Sequence, residues 1–142
     1  PRPSVIVLTI QKEVAQRITA PVGGKAYGRL AVLSQWRCDA HMLFDIDPRA
    51  FTPAPKVTST VVQITPRATP HAQAERTDLQ TVAAAAFGQR RKMLRRSLTA
   101  LGVDTGQLLE ISGLPPTARA EEIDIEGFCA LARAYHNLRH MR

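Results

Sequence analysis

The chain has 142 residues, of which 44% are hydrophobic and 22% charged, and this composition is typical of a globular protein rather than a disordered one. Lys and Arg number 19 against 12 Asp and Glu, which gives a net charge of +7 and favours nucleic acid or another anionic surface as partner. The longest apolar run, residues 5–10, is too short to span a membrane and lacks the features of a signal peptide, so we expect a cytoplasmic protein with no membrane partner. Cys38 and Cys129 lie far apart without C-x-x-C spacing, which predicts two buried thiols rather than a disulfide or a zinc site.

The first part of the chain has an α/β pattern. Residues 4–10 are apolar and rich in β-branched side chains without alternation, which predicts a parallel strand buried on both faces. A helix is predicted over residues 11–18, "QKEVAQRI", where Lys12 and Glu13 are interpreted as a surface ion pair, and a second helix begins at Tyr27 after the "PVGG" break. The core candidates of this second helix are Leu30, Val32 and Leu33.

Two further strands are predicted over residues 41–46 and 57–65, and the proline-rich segment "DPRAFTPAPKV" connects them. Pro53 and Pro55 restrict the backbone there, which predicts a stiff, extended connection. Because only one strand has the pattern of burial on both faces, residues 1–66 predict part of a doubly wound α/β sheet rather than a complete one.

Residues 67–77 are polar and aperiodic, as an interdomain linker is, and residues 78–142 predict a small helical domain. The first helix of this domain is predicted to start at a capping box formed by Thr77 and Gln80 and to run as a single helix that ends at Gly102. Its apolar stripe consists of Leu79, Ala83, Ala86, Phe87, Leu94, Leu98 and Leu101.

Two shorter helices complete the pattern. One is predicted to end at Gly113, and the other to begin after Asp124. The charges of Asp124 and Glu126 suit a helix N-terminus rather than an acid pair. His136 and His140 have the spacing of metal ligands on a helix, but no third ligand accompanies them in the sequence, so we interpret them as a solvated terminus and predict no metal site.

A block of cations lies inside the predicted first helix of the second domain, within "AAAAFGQRRKMLRRSL". The cations are Arg90, Arg91, Lys92, Arg95 and Arg96. On a helical wheel the first two flank the apolar stripe and the other three lie opposite it. Arginine pairs bidentately with phosphate, so the block predicts a nucleic-acid surface, with a solvated basic face as the alternative. Gly88, beside the block, either allows a close backbone approach or packs against a neighbouring helix.

Five segments in this order carry a family resemblance. They are "QKEVAQRI", "KAYGRLAVLSQ", "FTPAPKVTSTVVQI", "AAFGQRRKMLRRSL" and "PTARAEEIDIEGF", which together span nearly the whole chain. In these segments the chain resembles the ribosomal-RNA adenine dimethyltransferases of the KsgA type. The resemblance implies the C-terminal part of a Rossmann-like, S-adenosylmethionine-dependent methyltransferase domain followed by a small helical rRNA-binding domain. It also implies dimethylation of two adjacent adenines near the 3′ end of small-subunit rRNA, with the immature small ribosomal subunit as partner.

The resemblance implies substrate contacts in the pattern F-x-P-x-P-K-V-x-S. Phe51 matches the family's aromatic residue beside the target adenine, and Pro53, Pro55 and Lys56 complete the substrate-binding pattern. A stacked ring would hold a flipped base by its face, and the prolines would keep that ring in place. Without the resemblance, Phe51 is equally well interpreted as a core aromatic at a strand start, and Lys56 as a solvated lysine.

Two motifs that the resemblance leads us to expect are absent from the 142 residues: a glycine-rich cofactor loop and an "NLPY"-like catalytic segment. Both are expected before residue 1, so we predict no catalytic and no cofactor-binding residue within this chain, and little activity from the chain alone. Two other functions remain open. One is a large-subunit rRNA adenine methyltransferase of the antibiotic-resistance type, and the other is a non-catalytic RNA-binding assembly factor.

Overall fold

The computed structural model of the chain describes residues 4–141, so the outer ends of the two predicted domains, residues 1–3 and 142, lie outside the described residues. Three strands and six α-helices follow one another, with 3-10 turns between some of them. In chain order they are β1 (Ile6–Gln11), α1 (Lys12–Ile18), α2 (Arg29–Arg37), β2 (Cys38–Ile46), a 3-10 turn (Pro48–Ala50), β3 (Ser59–Pro66), α3 (Arg76–Gly88), α4 (Leu94–Ser97), a 3-10 turn (Leu98–Leu101), α5 (Thr105–Ser112), a 3-10 turn (Ala120–Glu122) and α6 (Ile125–His140). Within residues 4–141, every helix is too short or too polar to cross a membrane.

The three strands form one sheet in the order β1, β3, β2, and both pairs are antiparallel. The prediction of a parallel β1 is therefore wrong, since Leu8 of β1 lies opposite Val62 of the central, oppositely directed β3. The prediction that β1 is buried on both faces is also wrong in this chain, where the side chain of Val7 is 59% exposed. A β-branched run indicates a strand, but its direction depends on a partner far away in sequence.

Helix α1 occupies the predicted position, and α2 begins two residues after the expected start at Tyr27. Val32 is fully buried and Leu33 packs against the core, as expected, but Leu30 is 41% exposed and is not a core residue. The ion pair expected between Lys12 and Glu13 is instead two separate pairs: Lys12 binds Asp45 of β2, and Glu13 binds Arg17 one turn later in α1.

The hydrophobic core joins the two parts of the chain. Tyr27 and the buried face of α2 belong to the same cluster as the buried residues of α3, α4, α5 and α6. The polar segment between the parts is fixed to α2, because the Trp36 indole N–H donates to the carbonyl oxygen of Ala72 at 2.7 Å and the Trp36 carbonyl oxygen accepts from the amide of His71 at 2.9 Å. The boundary at residues 67–77 stays a prediction, and the core on either side of it is continuous.

The single helix predicted up to Gly102 is wrong. Helix α3 ends at Gly88, a turn follows, and α4 starts only at Leu94. Glycine is a weak helix former, and the amide of Leu94 donates to the carbonyl oxygen of Ala118 at 2.8 Å instead of to a preceding helical turn. A Cβ atom on Gly88 would meet no atom within 4 Å among the described residues, so the alternative of a helix-packing glycine is also wrong there.

The ends of the other helices match the sequence signals in part. Gly102 and Gly113 both adopt φ of 75°, a left-handed conformation that favours glycine at a helix end. Asp124 caps α6 as predicted, with a side-chain oxygen that accepts from the amide of Gly127 at 2.7 Å. The predicted capping box at residues 77–80 does not form, because α3 begins earlier and its N-cap residue is Glu75, whose side chain makes no cap hydrogen bond.

Tyr27 provides a stability test of the shared core. Its side chain is fully buried, its hydroxyl donates to the carbonyl oxygen of Ile123 at 2.6 Å, and burial raises its pKa well above the usual range. We expect Tyr27→Phe to lower the free energy of unfolding by about 1–3 kcal/mol, since the Ile123 carbonyl would stay buried without its donor. Urea denaturation measures this, and Tyr135→Phe, at a half-buried tyrosine on α6, is the control expected to change stability by less than about 0.5 kcal/mol. Equal losses in both variants would contradict the assignment.

Candidate nucleic-acid interface

The basic segment, residues 90–96, runs through the turn between α3 and α4 rather than along one helix. Leu94 faces the core, while four cationic side chains are exposed and form no ion pair with any carboxylate of the described residues. These four are Arg91, Lys92, Arg95 and Arg96. Because these cations have no carboxylate partner among the described residues, their charge is available to an anion outside the protein.

The backbone of this basic segment is anchored to the chain that precedes the Ala120–Glu122 turn. Met93 pairs with Arg119 in an isolated antiparallel bridge. The amide of Leu94 donates to Ala118, and the amide of Arg95 donates to the carbonyl oxygen of Pro116 at 3.1 Å. This anchoring fixes the backbone positions from which the four exposed cations project. A fixed set of cations favours the binding of phosphates that are themselves held in a defined arrangement.

Arg90 differs from the other cations of the segment. Its guanidinium donates to three backbone carbonyl oxygens: Nη1 to that of Tyr27 at 2.5 Å, and Nη2 to those of Lys25 at 3.1 Å and Gly24 at 3.3 Å. The Glu121 carboxylate lies 3.6 Å from Nη2. Sequence reasoning grouped Arg90 with the RNA-binding cations, and no local signal separates it from Arg91. Its contacts depend on a loop more than 60 residues away in sequence.

The side chain of Phe51 is accessible at the end of β2. It follows the Pro48–Ala50 turn, which Asp47 caps by accepting from the amide of Arg49 at 2.9 Å. Phe51 is 39% exposed, so the interpretation as a core aromatic is wrong for this chain. Of the other pattern residues, Pro53 and Lys56 are exposed and Pro55 is half-buried, and the Thr52–Pro53 peptide bond is cis.

Two ion pairs lie beside this loop. Lys12 Nζ is 2.7 Å from Asp45 Oδ2, and this hydrogen bond lowers the pKa of Asp45 below its usual value. Arg49 Nη2 is 2.8 Å from Asp47 Oδ2 and lowers the pKa of Asp47 in the same way. Both carboxylates are therefore ionised at neutral pH and already paired with a cation, so neither one suits a general base or a proton donor.

A second polar cluster joins α3 to α6. His136 Nδ1 is 2.8 Å from Asp78 Oδ2, and Arg139 Nη2 donates to Asp78 Oδ1 at 2.7 Å. The prediction of a solvated His136 is therefore wrong, because the sequence did not reveal that Asp78, only 2% exposed, lies opposite it. Glu75, Asp78 and His136 could hold a metal ion by their spacing, but both oxygens of Asp78 are already paired. We interpret the cluster as an ion-pair staple between the helices.

The sequence matches the Ribosomal RNA adenine dimethylase family over residues 1–137. The Ribosomal RNA small subunit methyltransferase A of Rhodospirillum rubrum is 61% identical over 128 residues, which is 90% of this chain and 44% of that protein. The protein of the same name from Rhodopseudomonas palustris strain BisB5 is 56% identical over 138 residues, which is 97% of this chain and 48% of that protein. The chain spans about half the length of the curated relatives it matches.

Two solved structures resemble the chain in fold. The crystal structure of a dimethyladenosine transferase from Plasmodium falciparum has a TM-score of 0.78 at 22% identity, and the match covers 89% of this chain and 55% of that one. The 23S rRNA methyltransferase ErmE has a TM-score of 0.62 at 20% identity, over 93% of this chain and 55% of that one. These matches confirm the expected fold class, part of a Rossmann-like methyltransferase domain followed by helices.

The two thiols differ in their expected reactivity. Burial raises the pKa of Cys129 to about 11, with the carboxylates of Glu126 and Asp124 adding to the effect and Arg133 opposing it. At pH 8 only about one Cys129 in a thousand would be a thiolate, the form that reacts, whereas Cys38 is half-buried. We expect iodoacetamide at pH 8 to modify Cys38 first and to reach Cys129 only in urea, as mass spectrometry of the peptides would measure. Equal modification of the folded chain would contradict the burial of Cys129.

Proposed function

The chain belongs to the ribosomal RNA adenine dimethylase family, and from this we propose that the intact protein dimethylates two adjacent adenines near the 3′ end of small-subunit rRNA during ribosome maturation. S-adenosylmethionine would be the methyl donor, and the immature small ribosomal subunit in the cytoplasm would be the partner. The observation that carries the proposal is the family match over residues 1–137, which includes both the Phe51 loop and the basic segment.

The names of the relatives favour the small subunit over the large one. The proteins that are 56–61% identical to this chain are called small subunit methyltransferases, whereas the 23S rRNA enzyme shares 20% identity and supports the fold alone. A large-subunit methyltransferase of the antibiotic-resistance type is therefore the weaker alternative.

We assign RNA docking to the exposed cations of the basic segment. Arg91, Lys92, Arg95 and Arg96 would neutralise phosphates and release counterions, which gives affinity with little sequence preference. Phe51 would add the specific step by stacking on the target adenine once that base has left its helix. Lys56, exposed five residues later, would contact a neighbouring phosphate.

The described residues, 4–141, do not fit a cofactor site of the glycine-rich type. In dinucleotide-binding and related folds, a glycine-rich turn between a strand and a helix N-terminus receives the cofactor, but β1 passes into α1 directly from Gln11 to Lys12. We therefore assign no S-adenosylmethionine contact within residues 4–141 and derive no step through the cofactor.

The sheet supports a role for further protein surface in the intact enzyme. Apolar side chains of β1 and β2 are exposed on both faces of the sheet, since the strand register puts Ile6 and Met42 on one face and Val7 and Phe44 on the other. Exposed apolar surface on this scale marks an interaction site. Because the curated relatives are about twice as long as this chain, we propose that the rest of a methyltransferase domain covers this surface.

A non-catalytic RNA-binding assembly factor is the second candidate. It is favoured by the basic segment, whose exposed cations Arg91, Lys92, Arg95 and Arg96 could bind RNA without any methyl transfer. Transfer of labelled methyl groups from S-adenosylmethionine to immature small subunits by the intact protein decides between the two. Incorporation into small-subunit rRNA supports the enzyme, and binding without incorporation supports the assembly factor.

Neutralising part of the basic segment tests the docking role. We expect the triple variant Lys92→Gln, Arg95→Gln, Arg96→Gln to bind rRNA more weakly and to reduce the slope of log affinity against log salt by about 2–3 units, since each lost phosphate contact removes about 0.7–0.9. Binding titrations at several salt concentrations measure this, and circular dichroism checks that the helices remain.

The matched control for the docking test removes the same charge elsewhere, with Arg17→Gln, Arg37→Gln and Arg76→Gln at three exposed positions. It should leave the slope nearly unchanged. The same loss of slope in both triple variants would mean that overall charge, rather than the basic segment, sets the affinity for RNA.

Phe51→Ala tests the stacking role in the intact enzyme. We expect methylation to fall roughly 10- to 100-fold while binding of the RNA particle changes little, because one stacked base contributes about 1–3 kcal/mol against a large electrostatic surface. Ile111→Ala is the control, since Ile111 is also an exposed apolar side chain, at 50%, but lies on α5. If Phe51→Ala lost particle binding as strongly as turnover, Phe51 would be a structural residue.

A further inference from the structure

The loop between α1 and α2, residues 19–28, is held by the helical part of the chain at three places. The amide of Gly23 donates to the carbonyl oxygen of Glu121 at 2.8 Å, and the Tyr27 hydroxyl donates to that of Ile123. Arg90 binds the carbonyl oxygens of Gly24, Lys25 and Tyr27. Arg90 thus binds three backbone carbonyl groups of the loop.

The chemistry of Arg90 suits this position better than that of a lysine would. A planar guanidinium can direct several N–H donors in fixed directions at once, whereas an ammonium is a compact point charge. The guanidinium carbon lies 5.6 Å from the centre of the Phe87 ring, and Glu121 balances the charge from 3.6 Å. The cation is therefore compensated within the protein, unlike its exposed neighbour Arg91.

The loop of residues 19–28 is connected to the Phe51 loop through α1. It continues from α1, and Lys12 at the start of α1 binds Asp45 at the end of β2. Asp45 is followed by the turn that ends in Phe51. Arg90 therefore stands between two surfaces, the basic segment that it belongs to and the α/β part that carries the aromatic ring.

We propose that Arg90 is a positioning residue that fixes the α/β part, with Phe51, relative to the RNA-docking cations, and that it is not itself an RNA contact. The proposal rests on the proposed function for its consequence in catalysis, because RNA held by Arg91 and Lys92 would then meet Phe51 in one geometry. Loss of the Arg90 contacts would leave RNA docking intact but would misplace Phe51 relative to the target adenine.

Arg90→Lys tests the proposal because it keeps the charge and removes the planar fork. We expect the affinity for protein-free small-subunit rRNA and its salt slope to stay within about twofold of the unchanged chain. Hydrogen exchange at the amides of Gly23 and Tyr27 should become about tenfold faster, the effect of losing one charge-assisted hydrogen bond. In the intact enzyme kcat should fall by a similar factor, with KM for the RNA particle unchanged.

Arg76→Lys and Arg91→Gln are the controls. Arg76→Lys, at an exposed arginine of α3 outside the basic segment, should match the unchanged chain in all three measurements. Arg91→Gln should weaken RNA binding without changing the exchange rates of the loop. If Arg90→Lys kept the loop protected and the turnover normal, the positioning role would be wrong. If Arg90→Gln weakened RNA binding and lowered the salt slope as Arg91→Gln does, Arg90 would be an RNA contact instead.

A second variant guards against general unfolding. Arg90→Ala should lose the protection of the loop amides from hydrogen exchange. Millimolar methylguanidine, which supplies the missing guanidinium group, should restore that protection. Failure to restore it in a folded Arg90→Ala chain would contradict the positioning role. The exchange measurements do not depend on catalysis. An intact protein that transferred no methyl groups would refute the proposed function, while the loop exchange would still decide the role of Arg90.

Discussion

Burial of α2 between the two parts of the chain is the constraint on which the rest of the structure depends. Helix α2 directs the side chains of Val32 and Trp36 into a hydrophobic cluster that also contains Leu79 and Phe128. Neither the sheet side nor the helical side therefore buries its apolar surface alone. Since apolar surface removed from water is the main stabilising contribution in a domain of this size, the two parts are expected to unfold together. The hydrogen bonds between the two parts then fix their relative orientation, while the hydrophobic contact supplies most of the stability.

The contact between the two parts of the chain also explains why the cations of the basic segment have different roles. A cation close to the core has carbonyl oxygens within reach, and desolvation favours its pairing with them. A cation one residue later points to water and keeps its charge for a partner. Arg90 and Arg91 are thus adjacent in sequence and opposite in environment, and the turn after Gly88 creates this difference by ending the helix.

Features with local causes could be predicted from the sequence. Gly113 and Asp124 act at helix ends through their own conformational and capping preferences, and the family segments revealed the fold class. Features with distant causes could not be predicted. The direction of β1 depends on β3, which lies about 50 residues later, the environment of His136 depends on Asp78, and the break before Leu94 depends on a carbonyl oxygen of Ala118. The proposed roles of Phe51 and the exposed cations remain predictions, because their partner is outside the chain.

The exposed β1 edge has a consequence for the behaviour of the chain in solution. Val5, Ile6 and Val7 are each at least 45% exposed, and in the described part of the chain β1 has a strand on one side only. An uncovered apolar edge is a template for pairing with another copy, while a net charge of +7 pushes copies apart. Salt screens the repulsion and leaves the apolar attraction in place. High ionic strength, which weakens RNA binding, would therefore also promote self-association wherever this edge is left uncovered.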